Sequence, residues 1–281
     1  MTLLAFAKAM LGDQLAKYGF EHRRNTTWVK VSDEGIYFAV SFKKHKFYDD
    51  YCVRIFFNIQ PVFSKLYNYE YRLGDWYDYM YEAGLIPSEF ANRVHAHEPL
   101  MMVEETDTRY ESMLETGRIL FSAVLEPLLV SVHDMDSCYA ANFELNYIAY
   151  KRIRDIKAKT DTRAEMKNYD RSSYNMIYTQ NTFPMVLCLC KAKRYSDALK
   201  LLQNCGKMSS ICFEEGSITL GKFCEEVWKT EGYKLWYIER LEKGNYSEIE
   251  GNMKVWYEHN SEELKKKYGL SVEYEFEAVE R

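Results

Sequence analysis
Residues 27–61 read TWVKVSDEGIYFAVSFKKHKFYDDYCVRIFFNIQP, and the reading of this stretch decides the fold. In its middle segment Ile36, Phe38, Val40 and Phe42 fall on one side of an extended chain. In its last segment Tyr51, Val53, Ile55, Phe57 and Ile59 do the same. Successive side chains of a strand point to opposite faces, so a period of two means one buried face and one polar face. With Thr27–Val31 as a first strand, the stretch predicts a three-stranded antiparallel meander. Asp33-Glu34-Gly35 supplies a hairpin turn, where glycine takes the left-handed conformation. Lys44 to Asp50 reads as a longer polar turn. Pro61 closes the third strand because it cannot donate to a ladder.

Outward from the meander the pattern turns helical. Leu4, Ala7, Leu11, Leu15 and Tyr18 make one helical stripe, ended by Gly19 with Phe20 as an apolar anchor beyond it. Tyr110 to Val132 predicts a long helix, kinked or restarted at Pro127, whose ring clashes with the preceding turn. Residues Asn92 to Val103 read as a strand or a loop. Cys138 to Ile156 predicts a further helix, and Lys157 to Ser173 a charged connection. Phe183–Lys193 and Ser196–Gln203 predict a helical hairpin with Ser196 as cap. Helices follow at Ile218–Thr230, Tyr233–Lys243 and Tyr246–Tyr268. At the end, Leu270, Val272, Tyr274, Phe276 and Ala278 alternate with polar residues and predict a strand seeking a sheet edge. The fold class is therefore α+β: an antiparallel meander packed on helices, then a mainly helical half. The division expected is 1–132 for the α+β domain and 133–281 for the helical one.

The first part resembles a known family. A helix ending in Tyr18-Gly19-Phe20-Glu21, a basic patch, a strand carrying Trp28 and the later Leu125-Glu126-Pro127-Leu128 resemble the bacterial family known only as domain of unknown function 4304. The resemblance spans Leu3 to Val132. It implies an α+β domain in a bacterial cytosolic protein and carries no catalytic residues to transfer. The helical half lies outside it.

Composition bounds the function. The 281 residues carry a net charge of −5 and no long basic run, which argues against a general nucleic-acid binder. The clusters Lys43-Lys44-His45-Lys46 and Lys265-Lys266-Lys267 read as a loop and a solvated helix end. No segment approaches the ~18 apolar residues of a membrane span. Charge interrupts the N-terminus too early for a signal peptide. Seven scattered cysteines fit a reduced, cytoplasmic protein. The aromatic load is high, with 24 Tyr, 15 Phe and 5 Trp, and tyrosine suits both core edges and interfaces.

Three constellations merit weighing for chemistry. His95 and His97 would share one face of a strand and could chelate an ion with Glu104 or His133. Recognisable third and fourth ligands are missing, so neither metal nor cofactor is expected. His133 and Cys138 could pair as base and nucleophile, but Asp134, Asp136 and Ser137 read more simply as helix ends and caps. Arg54, Asn58 and Gln60 line the second face of the third strand, where Arg23, Arg24 and Lys43 could add charge and form a pocket for an anion or an acidic segment. Two functional readings follow. One is a non-enzymatic protein that binds another protein, as in bacterial toxin neutralisation. The alternative is a small-ligand binder or enzyme with its site near Arg54, Asn58 and Gln60. A broad flat aromatic patch favours the first, and a deep pocket the second.

Overall fold
The meander is the middle of a five-stranded antiparallel sheet in sequential order: β1 (Glu21–Arg24), β2 (Thr27–Val31), β3 (Ile36–Phe47), β4 (Asp50–Pro61) and β5 (Tyr71–Arg72). The computed structural model describes residues 1–47, 50–64, 71–82, 84–91, 100–145, 182–204, 232–274 and 276. β1 lies in what reads as a basic patch. Its sequence EHRR has no apolar alternation because it is an edge strand, and charge on an edge discourages further pairing. The expected turn at Lys44–Asp50 is shorter than its polarity suggests. The β3–β4 ladder runs on to the pair Phe47 and Asp50, because an exposed two-stranded arm satisfies its own backbone groups without an apolar face.

Register sorts the two faces. Val40 stands opposite Phe57, Phe38 opposite Ile59 and Phe42 opposite Ile55, and all six side chains are buried. Trp28 meets Phe42 edge-on with ring centroids 5.4 Å apart. The residues between them, Tyr37, Ala39, Ser41 and Lys43 with Gln60, Asn58 and Arg54 across the ladder, form the opposite face.

The N-terminal helix α1 covers residues 3–17 and packs against β3. Thr2 caps it, its side chain accepting from the amide of Ala5. A π-helical turn at Lys8–Gly12 widens it, so that Phe6, Ala7, Met10, Leu11 and Leu15 are buried while Leu4 is only half so. Phe20, just beyond Gly19, packs on Phe38 at 6.4 Å. The helix α2 (Leu73–Glu82) packs on β4, and the short α3 (Ser88–Ala91) follows it. The long helix α4, residues 110–131, packs on the widened turn of α1 and on α2. Its break is a π-turn at Phe121–Leu125, after which Pro127 sits in the first turn of Glu126–Ser131. The extra residue in that turn relieves the ring's clash, and the missing amide proton falls where a restarted helix needs none. Beyond β5's place in the sheet, Leu100 and Met102 bond the outer edge of β4: Val53 N donates to Leu100 O at 2.6 Å and Met102 N to Tyr51 O at 2.9 Å.

The second half is helical. Helix α5, residues 135–145, begins at a reciprocal cap. Asp134 Oδ1 accepts from the Ser137 amide at 2.8 Å, and Ser137 Oγ accepts from the Asp134 amide at 2.9 Å. Asp134 is thus the capping residue, in place of the expected Asp136 or Ser137. The Ser137 hydroxyl and amide hold the Asp134 carboxyl below its ordinary range, aided by His133. A group with a depressed folded pKa stabilises above its unfolded value and loses that contribution as pH falls through the folded one. Asp134→Ala is therefore expected to cost about 1 kcal/mol at neutral pH. The gap between the two proteins should close on acidification through the carboxylate range, as followed by urea unfolding. A gap that stays constant down to pH ~2 would remove the carboxylate from the account.

The hairpin α6 (Thr182–Lys191) and α7 (Tyr195–Asn204) falls where its sequence predicts. Arg194, rather than Ser196, holds the turn. Its guanidinium donates to Asp197 at 2.8 Å and to Asp136 of α5 at 2.8 Å, and it lies 5.5 Å over the Tyr139 ring. Helix α8 covers residues 232–243 and α9 spans Tyr246–Tyr268. Tyr233 and Tyr237 of α8 both donate to Asn252 Oδ1 of α9, and Trp256 Nε1 donates to Tyr233 Oη. Helices beyond position 132 reach back to the sheet: Asn142 of α5 donates to Ile59 O at 3.1 Å, and α6 packs on β4. The expected helix at Ile218–Thr230 and connection at Lys157–Ser173 lie outside the described residues.

Gly269 ends α9 with φ +63°, its amide bonding Lys265 O while that of Leu270 bonds Leu264 O. The described residues of the segment beyond it do not form the expected strand. Its described residues, 270–274 and 276, carry no ladder. The alternation is present, since Leu270 is buried and Ser271 and Glu273 are exposed. What answers the apolar side is a cluster of rings. Tyr274 and Phe276 lie 6.1 and 5.7 Å from Phe63, and Tyr257 Oη donates to Tyr274 O at 2.5 Å. The Tyr274 ring also occupies the place a Cβ would need at Gly35, 2.9 Å away, where φ is +71°. Glycine there serves both the turn and the close approach. Among the described residues, no helix is long and apolar enough to cross a membrane.

Candidate ligand cleft
The second face of the sheet is not open to solvent along its length. Helix α9 crosses it, and between the two lies a cleft of about 820 Å³. Its floor is Tyr37, Ala39 and Ser41 of β3 with Asn58 of β4. The β1–β2 turn, Arg24 to Thr27, closes one side, and Lys43 stands at the same end. The roof is His259, Asn260, Glu263, Leu264, Lys267 and Tyr268. These six form two adjacent columns, each stepping by four, which is the spacing that puts side chains on one helical face.

Two anchors set the height of the roof. At one end Asn260, 3% exposed, donates through Nδ2 to Val62 O and Ser64 O, both at 2.6 Å, just past the end of β4. At the other end the C-terminus of α9 meets β1, where a Cβ at Gly269 would lie 4.0 Å from the Arg23 guanidinium. Arg23 itself pairs with Glu21. Beneath the roof the β3 stretch from Tyr37 to Lys43 measures about 20 Å at ~3.3 Å per residue.

Of the residues read from sequence as a site, the structure brings Arg24, Lys43 and Asn58 into this lining. Arg54 stands directly across the ladder from Lys43, half-buried and outside the lining. Gln60 lies beyond Asn58 on the same face and is 3% exposed, with Nε2 unpartnered among the described residues. The roof residues escape a reading of α9 alone, because polar side chains occupy its inward columns. Their one sequence signal is Asn260 followed four residues later by Leu264 in an otherwise charged helix.

The remaining constellations come out differently. His95 and His97 lie outside the described residues. Among the described residues, no cluster of three or more His, Cys, Asp or Glu is placed to hold a metal ion. His133 and Cys138 do not form a dyad. Cys138 is fully buried, whereas the His133 side chain is 74% exposed, with Nδ1 2.9 Å from Ser131 O. Cys188 and Cys190 on α6 are also buried, and burial pushes the Cys190 thiol up to about 12. A thiol so placed is inert as a nucleophile at neutral pH. Compared with protein-family models, with curated proteins and with solved structures, the chain matches none.

Proposed function
We propose that this protein is a binding protein for a small polar ligand, held in the cleft between the sheet and α9. The observation that carries this reading is the cleft itself. Ligand sites are concave, usually ~300–1,000 Å³, and present a few convergent polar groups on a rigid frame. Here the floor is a central strand pair and the roof is the C-terminal part of a 23-residue helix, tied to the end of β4 through Asn260. The aromatic surplus does not compete with this reading. Among the described residues the tyrosines that stand exposed are Tyr51, Tyr81 and Tyr246, on three separate elements. Tyr246 is itself stacked on Tyr195 at 3.7 Å.

The test is thermal denaturation of the intact protein against a panel of polar metabolites, with Ala39→Trp as the blocked control. Ala39 lies on the floor, 8% exposed, so an indole there fills the space a ligand would use. A compound at about one hundred times its Kd stabilises by roughly 2.7 kcal/mol, which raises Tm by about 5 °C at this size. The expected result is such a shift in the native protein and its loss in Ala39→Trp. A panel without any shift, or shifts that survive the tryptophan, would falsify the cleft as the site.

A further inference from the structure
We infer that Cys52, Met101 and His45 form a site for a soft univalent metal ion, Cu(I), on the β3–β4 arm of the sheet. None of the three lines the cleft, so the site stands or falls apart from the ligand reading.

Strand pairing puts the three in one row. His45 of β3 is directly opposite Cys52 of β4, and Cys52 is bridged on its other side to Met101. Residues directly opposite in antiparallel strands share one face. The bonds from Val53 N to Leu100 O and from Met102 N to Tyr51 O bracket Cys52 and Met101. The two are therefore a non-hydrogen-bonded pair, the kind whose side chains stand closer. The result is a contact between sulfurs, in which the Cys52 thiol donates to Met101 Sδ at 3.6 Å. Two sulfurs that each lie ~2.3 Å from one ion at a tetrahedral angle are about 3.7 Å apart. The pair is thus already spaced as two ligands of one metal.

The frame is fixed and the mouth is open. The bracketing bonds hold the backbone on either side of Cys52 and Met101, and the Met101 amide donates to Met113 Sδ of α4 at 3.3 Å. Cys52 is buried and Met101 half-buried, whereas His45 is exposed. The imidazole can turn onto the pair as third ligand, and an ion has a path in from its side.

Donor chemistry selects the metal. Among the described residues His, Cys, Asp and Glu gather nowhere in threes, which disfavours zinc, calcium and magnesium here. One thiolate, one thioether and one imidazole make a soft set, and thioether sulfur selects Cu(I). On binding, the Cys52 S–H bond breaks, its proton leaves to water and its electron pair forms the Cu–S bond. Copper stays Cu(I) throughout. The charges of thiolate and univalent ion cancel, so the complex adds none to an arm that carries Lys43, Lys44 and Lys46. A divalent ion on one thiolate would add a like charge there.

The experiment is anaerobic titration of the reduced full chain with Cu(I), in competition with the coloured chelator bicinchoninate. The variants are Met101→Leu, His45→Ala and Cys52→Ser. Leucine conserves the volume of methionine and His45 is exposed, so the first two should keep nearly the native urea midpoint. The remaining cysteines are common to all four proteins. The native protein is expected to take one Cu(I) more than Cys52→Ser does. That ion should be held roughly tenfold or more weakly in Met101→Leu and in His45→Ala. Isotope-labelled methionine methyl groups give a second readout: the signal missing from Met101→Leu should move when Cu(I) is added to the native protein. A native protein that takes no more Cu(I) than Cys52→Ser overturns the inference. So does an affinity in Met101→Leu or His45→Ala equal to the native one, or a Met101 methyl signal that stays in place.

Discussion

Ile55→Ala is expected to destabilise the protein by about 2–5 kcal/mol. Ile55 sits near the middle of β4, 3% exposed, opposite Phe42 and on the same face as Val53 and Phe57. All four belong to the continuous apolar core. Truncation removes buried methyl and methylene groups and leaves a cavity that flanking strands cannot collapse, because their ladders hold them at fixed spacing. The measurement is urea unfolding, where the midpoint should fall while the slope, set by exposed surface, stays the same. Against a typical stability of about 5–15 kcal/mol this is a large fraction. A loss below about 1 kcal/mol would place Ile55 outside the core and undo the assignment of the two sheet faces.

Asn260→Ala is expected to cost about 2–6 kcal/mol, from roughly 1–3 for each of the two buried acceptors left without its donor. Asn260 Nδ2 is shared between Val62 O and Ser64 O, and both of those residues are fully buried. Alanine keeps the helix, so the loss reports the tie between α9 and the end of β4. Two readouts separate this from a general loss of stability. Amide exchange should quicken across residues 259–268 more than across β3 and β4, because the helix is released from the sheet. Ligand binding should also weaken beyond the loss expected from unfolding, since the roof of the cleft is no longer held. A change within about 0.5 kcal/mol, with exchange as in the native protein, would mean that α9 is seated by other contacts.

The two variants probe faces of unequal legibility. Ile55 could be read from period-two alternation, because burial on one face demands it of every second residue. Asn260 could not. An asparagine in a charged helix gives no local sign that its amide meets two main-chain carbonyls about two hundred positions earlier. The same contrast runs through the candidate site. Lys43 and Asn58 were accessible to sequence reasoning because the sheet's second face can be enumerated once the first is known, and Arg24 was reached only as charge in the nearby basic patch. His259, Glu263 and Lys267 were not, since a polar helix face reads as solvated whether or not a sheet lies beneath it. Arg54 shows the limit of enumeration: sharing a face with Asn58 does not put a side chain in the same cleft.

Edges and ends mark a second boundary. β1 was hidden by its charges and β5 by its length of two residues. The C-terminal segment had the alternation of a strand, and that pattern correctly divided its inward from its outward residues. It did not reveal what would lie on the inward side. Apolar alternation requires a surface to cover one face, and Phe63 with Tyr257 supplies that surface without a ladder.

By itself, then, the sequence determined the α+β class, β2 with the core register of β3 and β4, the break at Pro127, the α6–α7 hairpin and the span of α9. Each depends on periodicity or on the backbone limits of proline and glycine, which act within a few residues. Tertiary structure alone decided that α9 crosses the sheet's second face, that the C-terminal segment joins a ring cluster, and that Arg24, Lys43 and Lys267 line one cleft. Those outcomes depend on hydrogen bonds and charges between segments remote in the chain, and no local pattern encodes which distant carbonyl or ring a side chain will meet.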